Sequence, residues 1–328
     1  MIPFTFKNQF FYLMIPTSDF NSNRSGFTRR KFIYHTAALA GAGIALASPM
    51  ISLASGLGYN NSSADDSFTV KQIMDLFITD VPGGALPNTV DTLKAGSAET
   101  VVTGIVTTMF ATIPVIRNAI SLGYNLIIAH EPTFYNHADE TTALQNDDVY
   151  KYKADLLKQH NITVWRNHDY IHRLVPDGVT TGVLAQLEWQ KYADKTVPNL
   201  ITLPPSYLKE VISHAKAKLN IEKVRLIGDP DEVCKRVLLM PGSAGGNRQI
   251  EAIGRFKPDV ILCGEISEWE TAEYVRDARA KGDKLSLVVL GHIASEEPGS
   301  QFMLKWLKEK VPGVKSTHIP CGNSLQFA

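Results

Sequence analysis

From residue 67 onward, short apolar runs alternate with longer stretches in which apolar residues recur every three or four positions. A period near 3.6 marks a helix with one buried face, and a short run rich in β-branched residues marks a buried strand. Val70, Ile73, Met74, Phe77 and Ile78 share one face of a helix predicted over 68–81. The β-branched run 100–108 predicts a strand, and 114–122 a helix with Pro114 near its start, where a missing N–H costs nothing. Next come a strand over 125–129, a helix over 148–160, a strand over 162–165 and a helix over 180–189. The later chain repeats the plan. Helices fit 206–219, 248–256, 268–281 and 301–310, and strands fit 224–227, 236–240, 260–263 and 285–290.

Strand and helix in alternation predict an α/β protein with layered, mainly parallel sheets and flanking helices. Segment 191–206 is polar and carries several prolines, so it reads as a connection between a first α/β half at 67–190 and a second at 207–328. The halves are similar in plan and are expected to enclose a site between them.

Charge narrows the range of partners. The chain is formally neutral, but five basic residues and one acid precede residue 55, which leaves 28 basic against 32 acidic residues in the body. A mildly acidic body argues against a nucleic-acid partner, because such binding rests on neutralising phosphates. Cys234, Cys263 and Cys321 are far apart and odd in number, so neither a zinc ribbon nor a disulfide framework is indicated.

The N-terminus has the organisation of an address. Arg29-Arg30-Lys31 precedes an apolar stretch at 37–47, which is followed by Ser52-Leu53-Ala54, small residues of the kind a signal peptidase reads. Segment 1–54 is therefore expected to be a lead plus a signal peptide, with 55–66 a Ser- and Asn-rich linker. The arginine pair resembles a twin-arginine signal and implies export to the periplasm. An uncleaved membrane anchor is the alternative, although the apolar run is short for a stable span.

The chemistry follows the strands. The run at 125–129 ends in His130-Glu131, the run at 162–165 leads to His168-Asp169 and His172, and the run at 285–290 leads to His292, Glu296 and Glu297. In open α/β sheets ligands bind at the carboxyl ends of strands. Imidazoles mixed with carboxylates suit zinc, iron or manganese, and a carboxylate can bridge two ions. Glu265, after the run at 260–263, would lie on the same rim. The loop Pro241-Gly242-Ser243-Ala244-Gly245-Gly246 opens a helix, and Ser243 and Gly245 are candidates to hold a substrate anion or oxygen through backbone N–H groups. A plain tight turn is the alternative there.

Three of these motifs carry a family resemblance. Gly123-Tyr-Asn-Leu-Ile-Ile-Ala-His-Glu-Pro132 resembles "GadliisHHP", Gly264-Glu-Ile-Ser-Glu268 resembles "GEvSe", and Gly291-His-Ile-Ala-Ser-Glu296 resembles "GHxxTE". Together they resemble the GTP cyclohydrolase 1 type 2 homologs, the NIF-three-like dinuclear-metal-centre proteins. The resemblance implies two divalent metal ions, metal-assisted hydrolysis of a small molecule and assembly into a homo-hexamer. It also implies a ligand set in which Glu131 stands at a family His position and His172 at a family Asp position. The inventory then becomes His130, Glu131, His172, His292 and Glu296, with Asp169 competing with His172 and His168 open as ligand or supporting partner. Glu297 or Glu265 is the expected proton carrier. A non-enzymatic metal-binding protein, or an interaction module with structural metals, is the alternative.

Overall fold

The computed structural model describes residues 67–326, so the signal-like segment and linker expected before residue 67 lie outside the described residues. Helices, strands and their order follow from the sequence pattern. Helix α1 (Val70–Asp80) starts at Thr69, whose side chain accepts from the Gln72 N–H while Gln72 caps in return. Strands β1 (Leu93–Ala95) and β2 (Ile105–Thr108) follow, then α2 (Ile113–Leu122), which ends on the left-handed Gly123. Next come β3 (Leu126–Ala129), α3 (Asp148–Gln159), β4 (Thr163–Arg166), the short α4 (Asp169–Arg173) and α5 (Gly178–Gln186). The remainder comprises β5 (Leu200–Tyr207), α6 (Leu208–Leu219), β6 (Arg225–Ile227), β7 (Val233–Met240), α7 (Gly246–Phe256), β8 (Val260–Cys263), α8 (Glu273–Ala280), β9 (Ser286–Val289), α9 (His292–Lys310) and β10 (Ser316–His318).

Among the described residues the strands form two five-stranded sheets, in the orders β1-β4-β3-β2-β10 and β5-β7-β8-β9-β6. Their interiors are parallel, and the antiparallel pairings fall at β1, β5 and β6 on the edges. This is the α/β, mainly parallel architecture expected. Side chains alternate across each sheet as the pleat requires. Ile105, Leu126, Ile128 and Trp165 of the first sheet share one core with Val237, Leu239, Val260, Leu262 and Val288 of the second. The intervening residues, Val106, Ile127 and Val164, pack outward with α2 and α3 residues, and Leu238, Ile261, Leu287 and Val289 pack with α7 and α8.

Several elements depart from the sequence expectation, including β1 and the short α4, which no run in the sequence anticipates. The segment read as a connection, 191–206, contains most of β5, because Ile201 and Leu203 alternate into the shared core despite Pro204-Pro205. A proline is tolerated on an edge strand, and β5 is one. Strand β10 pairs with β2, so the chain returns to the first sheet after building the second. The run at 100–108 is shorter as a strand, since the Asn125 side chain takes the Thr103 N–H and donates to the Val101 carbonyl. The last helix begins nine residues before the predicted 301, and Pro298 lies inside it.

Helix α9 ties the layers together. Its first turn follows β9 of the second sheet, while its body packs on α5, β2 and β10. The approach to α5 is close: a Cβ on Gly182 would lie 2.3 Å from the Pro298 carbonyl oxygen, and one on Gly299 would lie 2.9 Å from Val179. Among the described residues, no helix is long and apolar enough to cross a membrane.

At the centre of the shared core, Phe77 meets Trp165 and Trp306 edge-on, with centroids 5.9 and 4.9 Å apart. Phe77→Ala leaves a void among fully buried neighbours and should cost about 3–5 kcal/mol. Urea denaturation checks this; a loss below about 1 kcal/mol would mean the core is not packed through this residue.

Candidate metal centre

The carboxyl ends of β3 and β4 and the start of α9 bring four histidines and two glutamates together. His130 and Glu131 follow β3 directly, and their backbone N–H groups bond to the carbonyls of Thr108, the last residue of β2, and Met109 just after it. His168 precedes the short α4 directly, and His172 lies within it. His292 opens α9, and Glu296 lies one turn on.

His292 Nε2 is 3.1 Å from Glu131 Oε1 and 3.0 Å from Glu296 Oε2. His130 Nε2 is 3.5 Å from Glu296 Oε2, His172 Nε2 is 3.9 Å from Glu296 Oε1, and His168 Nε2 is 3.9 Å from Glu131 Oε1. The rings of His130, His168 and His172 have centroids 4.8 to 5.2 Å apart. Among the described residues, two groups have donor atoms all within 4.8 Å of one another: His130, His168 and His172, and His130, Glu131 and Glu296.

Each imidazole is held through its other nitrogen. His130 Nδ1 lies 3.2 Å from the Asn167 carbonyl oxygen, His168 Nδ1 3.0 Å from Asp169, His172 Nδ1 2.8 Å from Asp177 and His292 Nδ1 3.0 Å from Glu265. An acceptor at Nδ1 fixes the N–H there and leaves Nε2 as a free lone pair, the arrangement found behind metal-ligating histidines. His130 Nε2 is buried and has no hydrogen-bond partner. An orphaned buried nitrogen is costly unless something accepts its lone pair, and the donor set around it fits a divalent metal ion.

Without a metal ion the same contacts set the charges, and His172 and His292 hold at Nε2 a proton that a metal ion would displace. Burial opposes ionisation of Glu131, yet its hydrogen bond to His292 and the neighbouring imidazoles hold its carboxyl below the usual range. Glu296 is likewise held low against burial, by His130 and His292. Burial also opposes charge on His172 and His292. The Asp177 contact overrides it at His172, raised to about 9, and the contacts to Glu131 and Glu296 override it at His292, raised to about 10. At His168 burial prevails over the Asp169 contact, and the imidazole is pushed down to about 4.

Asp169 stands behind the cluster. Its Oδ1 faces His168, and its Oδ2 accepts from the Thr89 hydroxyl and the Val90 N–H. Buried Asp91 accepts from the backbone N–H groups of His168 and Tyr170 and so shapes the turn that carries both histidines. Glu265 is half-exposed at the edge of the cluster, against His292. Glu297 is turned away from the imidazoles, with Oε1 3.4 Å from His318 on β10 and Oε2 3.9 Å from Cys321. Adjacent residues on a helix point about 100° apart, so Glu296 and Glu297 serve different surroundings. Burial pushes the Glu297 carboxyl up to about 7. The glycine loop reaches the cluster through Gly242, where a Cβ would lie 2.2 Å from Glu296 Oε1. Ser243 and Gly245 are exposed, and a Cβ on Gly245 would meet nothing within 4 Å.

Sequence reasoning missed Asp91, Asp177 and Gly242. Asp177 carried a local signal of a different kind: it caps α5 by accepting from the Thr180 N–H. Gly242 lay inside the loop already singled out, but nothing in the sequence places Glu296 against it.

The profile of the Duf34/NIF3 (NGG1p interacting factor 3) family matches residues 90–322. The GTP cyclohydrolase 1 type 2 homolog of Clostridium acetobutylicum is 24% identical over 229 residues, covering 66% of this chain and 80% of that protein. The homolog of Escherichia coli K12 is 26% identical over 206 residues, covering 62% and 79%. A Bacillus cereus protein related to NIF3 shares the fold, with a TM-score of 0.65 at 17% identity over 80% of this chain and 99% of that one.

The histidine shifts give the metal-free protein a signed pH dependence. A folded-state pKa above the ordinary 6.5 means that the ion pair stabilises fully below that value. The contribution is lost as pH rises through about 9 for His172 and about 10 for His292. Urea denaturation of chelator-treated protein should therefore show falling stability between pH 6.5 and 10, and the fall should shrink in His292→Gln. Stability that rises across this range would contradict the assignment of these pairs.

Proposed function

Because the chain belongs to the Duf34/NIF3 (NGG1p interacting factor 3) family, we propose that His130, Glu131, His168, His172, His292 and Glu296 form a dinuclear metal centre for the hydrolysis of a small-molecule substrate. The observation that carries this reading is the shared orientation of four imidazoles: each is anchored at Nδ1, and their Nε2 atoms converge on two buried carboxylates.

The two glutamates are placed for different tasks. Glu296 offers both oxygens inward, Oε1 toward His172 and Oε2 toward His130 and His292. That suits a carboxylate shared by two ions. Glu131 offers Oε1 alone. A donor set rich in imidazole favours zinc or iron over manganese. When bound, two such ions supply charge stabilisation at a substrate oxygen and a water made more acidic.

The remaining groups orient and move protons. Asp169 and Asp177 fix the tautomers and planes of His168 and His172. Glu265, half-exposed beside His292, is placed to exchange a proton with substrate or solvent. Glu297 faces β10 instead, so the proton-carrying role falls to Glu265. Gly242 keeps the loop backbone against Glu296, where a side chain would displace the carboxylate. The backbone groups at Ser243 and Gly245 remain the proposed substrate contact, on the exposed side of that loop.

The curated relatives carry a GTP cyclohydrolase 1 type 2 homolog name. GTP is not the substrate inferred here, because the signal-like N-terminus points to an exported, periplasmic protein. A homo-hexamer belongs to the same reading. The test is turnover on a panel of esters, phosphates and cyclic amides by dialysed, chelator-treated and zinc-restored protein, with metal content by elemental analysis. About two ions per protomer and zinc-dependent turnover are expected. Two ions without turnover would favour a metal-handling role, and a protein that retains no metal would refute the centre itself.

A further inference from the structure

Arg166, the last residue of β4, is fully buried, and its guanidinium lies directly behind Glu131. Its Nη2 is 3.3 Å from Glu131 Oε2, while Nε donates to the His130 carbonyl oxygen at 3.4 Å and Nη1 donates to the His137 carbonyl oxygen. The same guanidinium lies 3.6 Å from Asp139 Oδ2, and Asp139 in turn lies 3.2 Å from Lys94 Nζ. The Arg166 side chain is 0% exposed, Asp139 3% and Lys94 6%. Two buried cations thus face two buried anions in one chain: Glu131, Arg166, Asp139, Lys94.

Such burial requires compensation, since an unpaired charge in this environment is strongly unfavourable. Glu131 has one oxygen on each side of the boundary. Oε2 is taken by the guanidinium, and Oε1 is left to face His292 and His168. Resting on the reading of the cluster as a metal centre, we propose that Arg166 is a positioning residue that makes Glu131 a one-oxygen ligand and cancels its charge, so that the centre selects nitrogen-preferring ions such as zinc over manganese.

The physical reasoning is direct. Manganese favours carboxylate oxygen and negative charge, whereas zinc binds imidazole well. With Glu131 neutralised from behind and tethered at Oε2, the centre has four imidazoles, one free carboxylate in Glu296 and one oxygen of Glu131. Releasing Glu131 would add a second oxygen and a full negative charge, both of which favour the harder ion. The planar fork of Arg166 also holds the His130 carbonyl oxygen, so one side chain sets the position of two consecutive residues of the cluster.

The test is the ratio of zinc to manganese affinity, measured by chelator competition on protein shown to be folded by circular dichroism. Arg166→Gln should lower the ratio about tenfold or more, the range seen for partners behind metal ligands. Arg166→Lys, which keeps a buried cation but not the fork, should lower it less. In a Glu131→Gln background the effect of either change should shrink by more than half, because coupling of this kind requires that the two residues act on one site and only the contact to the His130 carbonyl oxygen remains. Lys94→Gln guards against a fold that will not tolerate change at Arg166. It leaves Asp139 to compete for the guanidinium, and should lower the ratio in the same direction. An unchanged ratio in a folded Arg166 variant, or in Lys94→Gln, overturns the proposal, as does a fall of undiminished size in the Glu131→Gln background. Wild-type protein that binds neither ion would instead refute the metal centre on which the proposal stands.

Discussion

Glu131 and Glu296 are ionised carboxylates enclosed almost entirely by protein, 7% and 4% exposed. Removing such groups from water costs several kcal/mol each, even after the surroundings relax. Everything around them answers that cost. Imidazoles approach from β3, α4 and α9, a guanidinium from β4, and backbone from the Gly242 loop. The two sheets contribute opposite parts of this shell: His130, Glu131 and His168 follow strands of the first, and His292 follows a strand of the second. The geometry of the cluster therefore depends on the packing that holds the sheets over one core. Helix α9 is the mechanical link, carrying His292 and Glu296 at one end and packing on α5 and the first sheet beyond.

The same constraint explains the outer partners. A histidine free to rotate would trade its inward contact for water. Asp169, Asp177 and Glu265 prevent that at three imidazoles, and the Asn167 carbonyl oxygen at the fourth. Asp169 is fixed in turn by Thr89 and Val90, and the turn that carries it is fixed by Asp91. The loop between α1 and β1 thus supports the centre from behind, through Asp169 and the His168 backbone. Glu297 shows the converse. It is one residue from Glu296, but the helix turns it toward His318 and Cys321.

How much was legible in the sequence follows from where the information lies. The parallel strands could be read because they are buried on both faces and appear as unbroken apolar runs. His130, Glu131, His292 and Glu296 could be read because each follows such a run closely. β1, β5 and β10 could not, since two are only three residues long and β5 contains two prolines. The choice between Asp169 and His172 turns on the third dimension: Asp169 lies against His168, Thr89 and Val90, and His172 Nε2 faces Glu296. Asp177 and Arg166 have ordinary local readings, a helix cap and a strand end. Their contacts with His172 and Glu131 become visible only once the turn and the strands are folded.

The central claim is that these four imidazoles and two carboxylates converge because they hold two metal ions. Crystallographic anomalous scattering recorded on both sides of the zinc edge, from protein reconstituted with zinc, tests it most directly. The account predicts two peaks about 3.5–4 Å apart, with Nε2 of the four histidines and oxygens of Glu131 and Glu296 at about 2.0–2.2 Å from them. An absence of peaks there, or a single ion bound by residues outside this set, would contradict it.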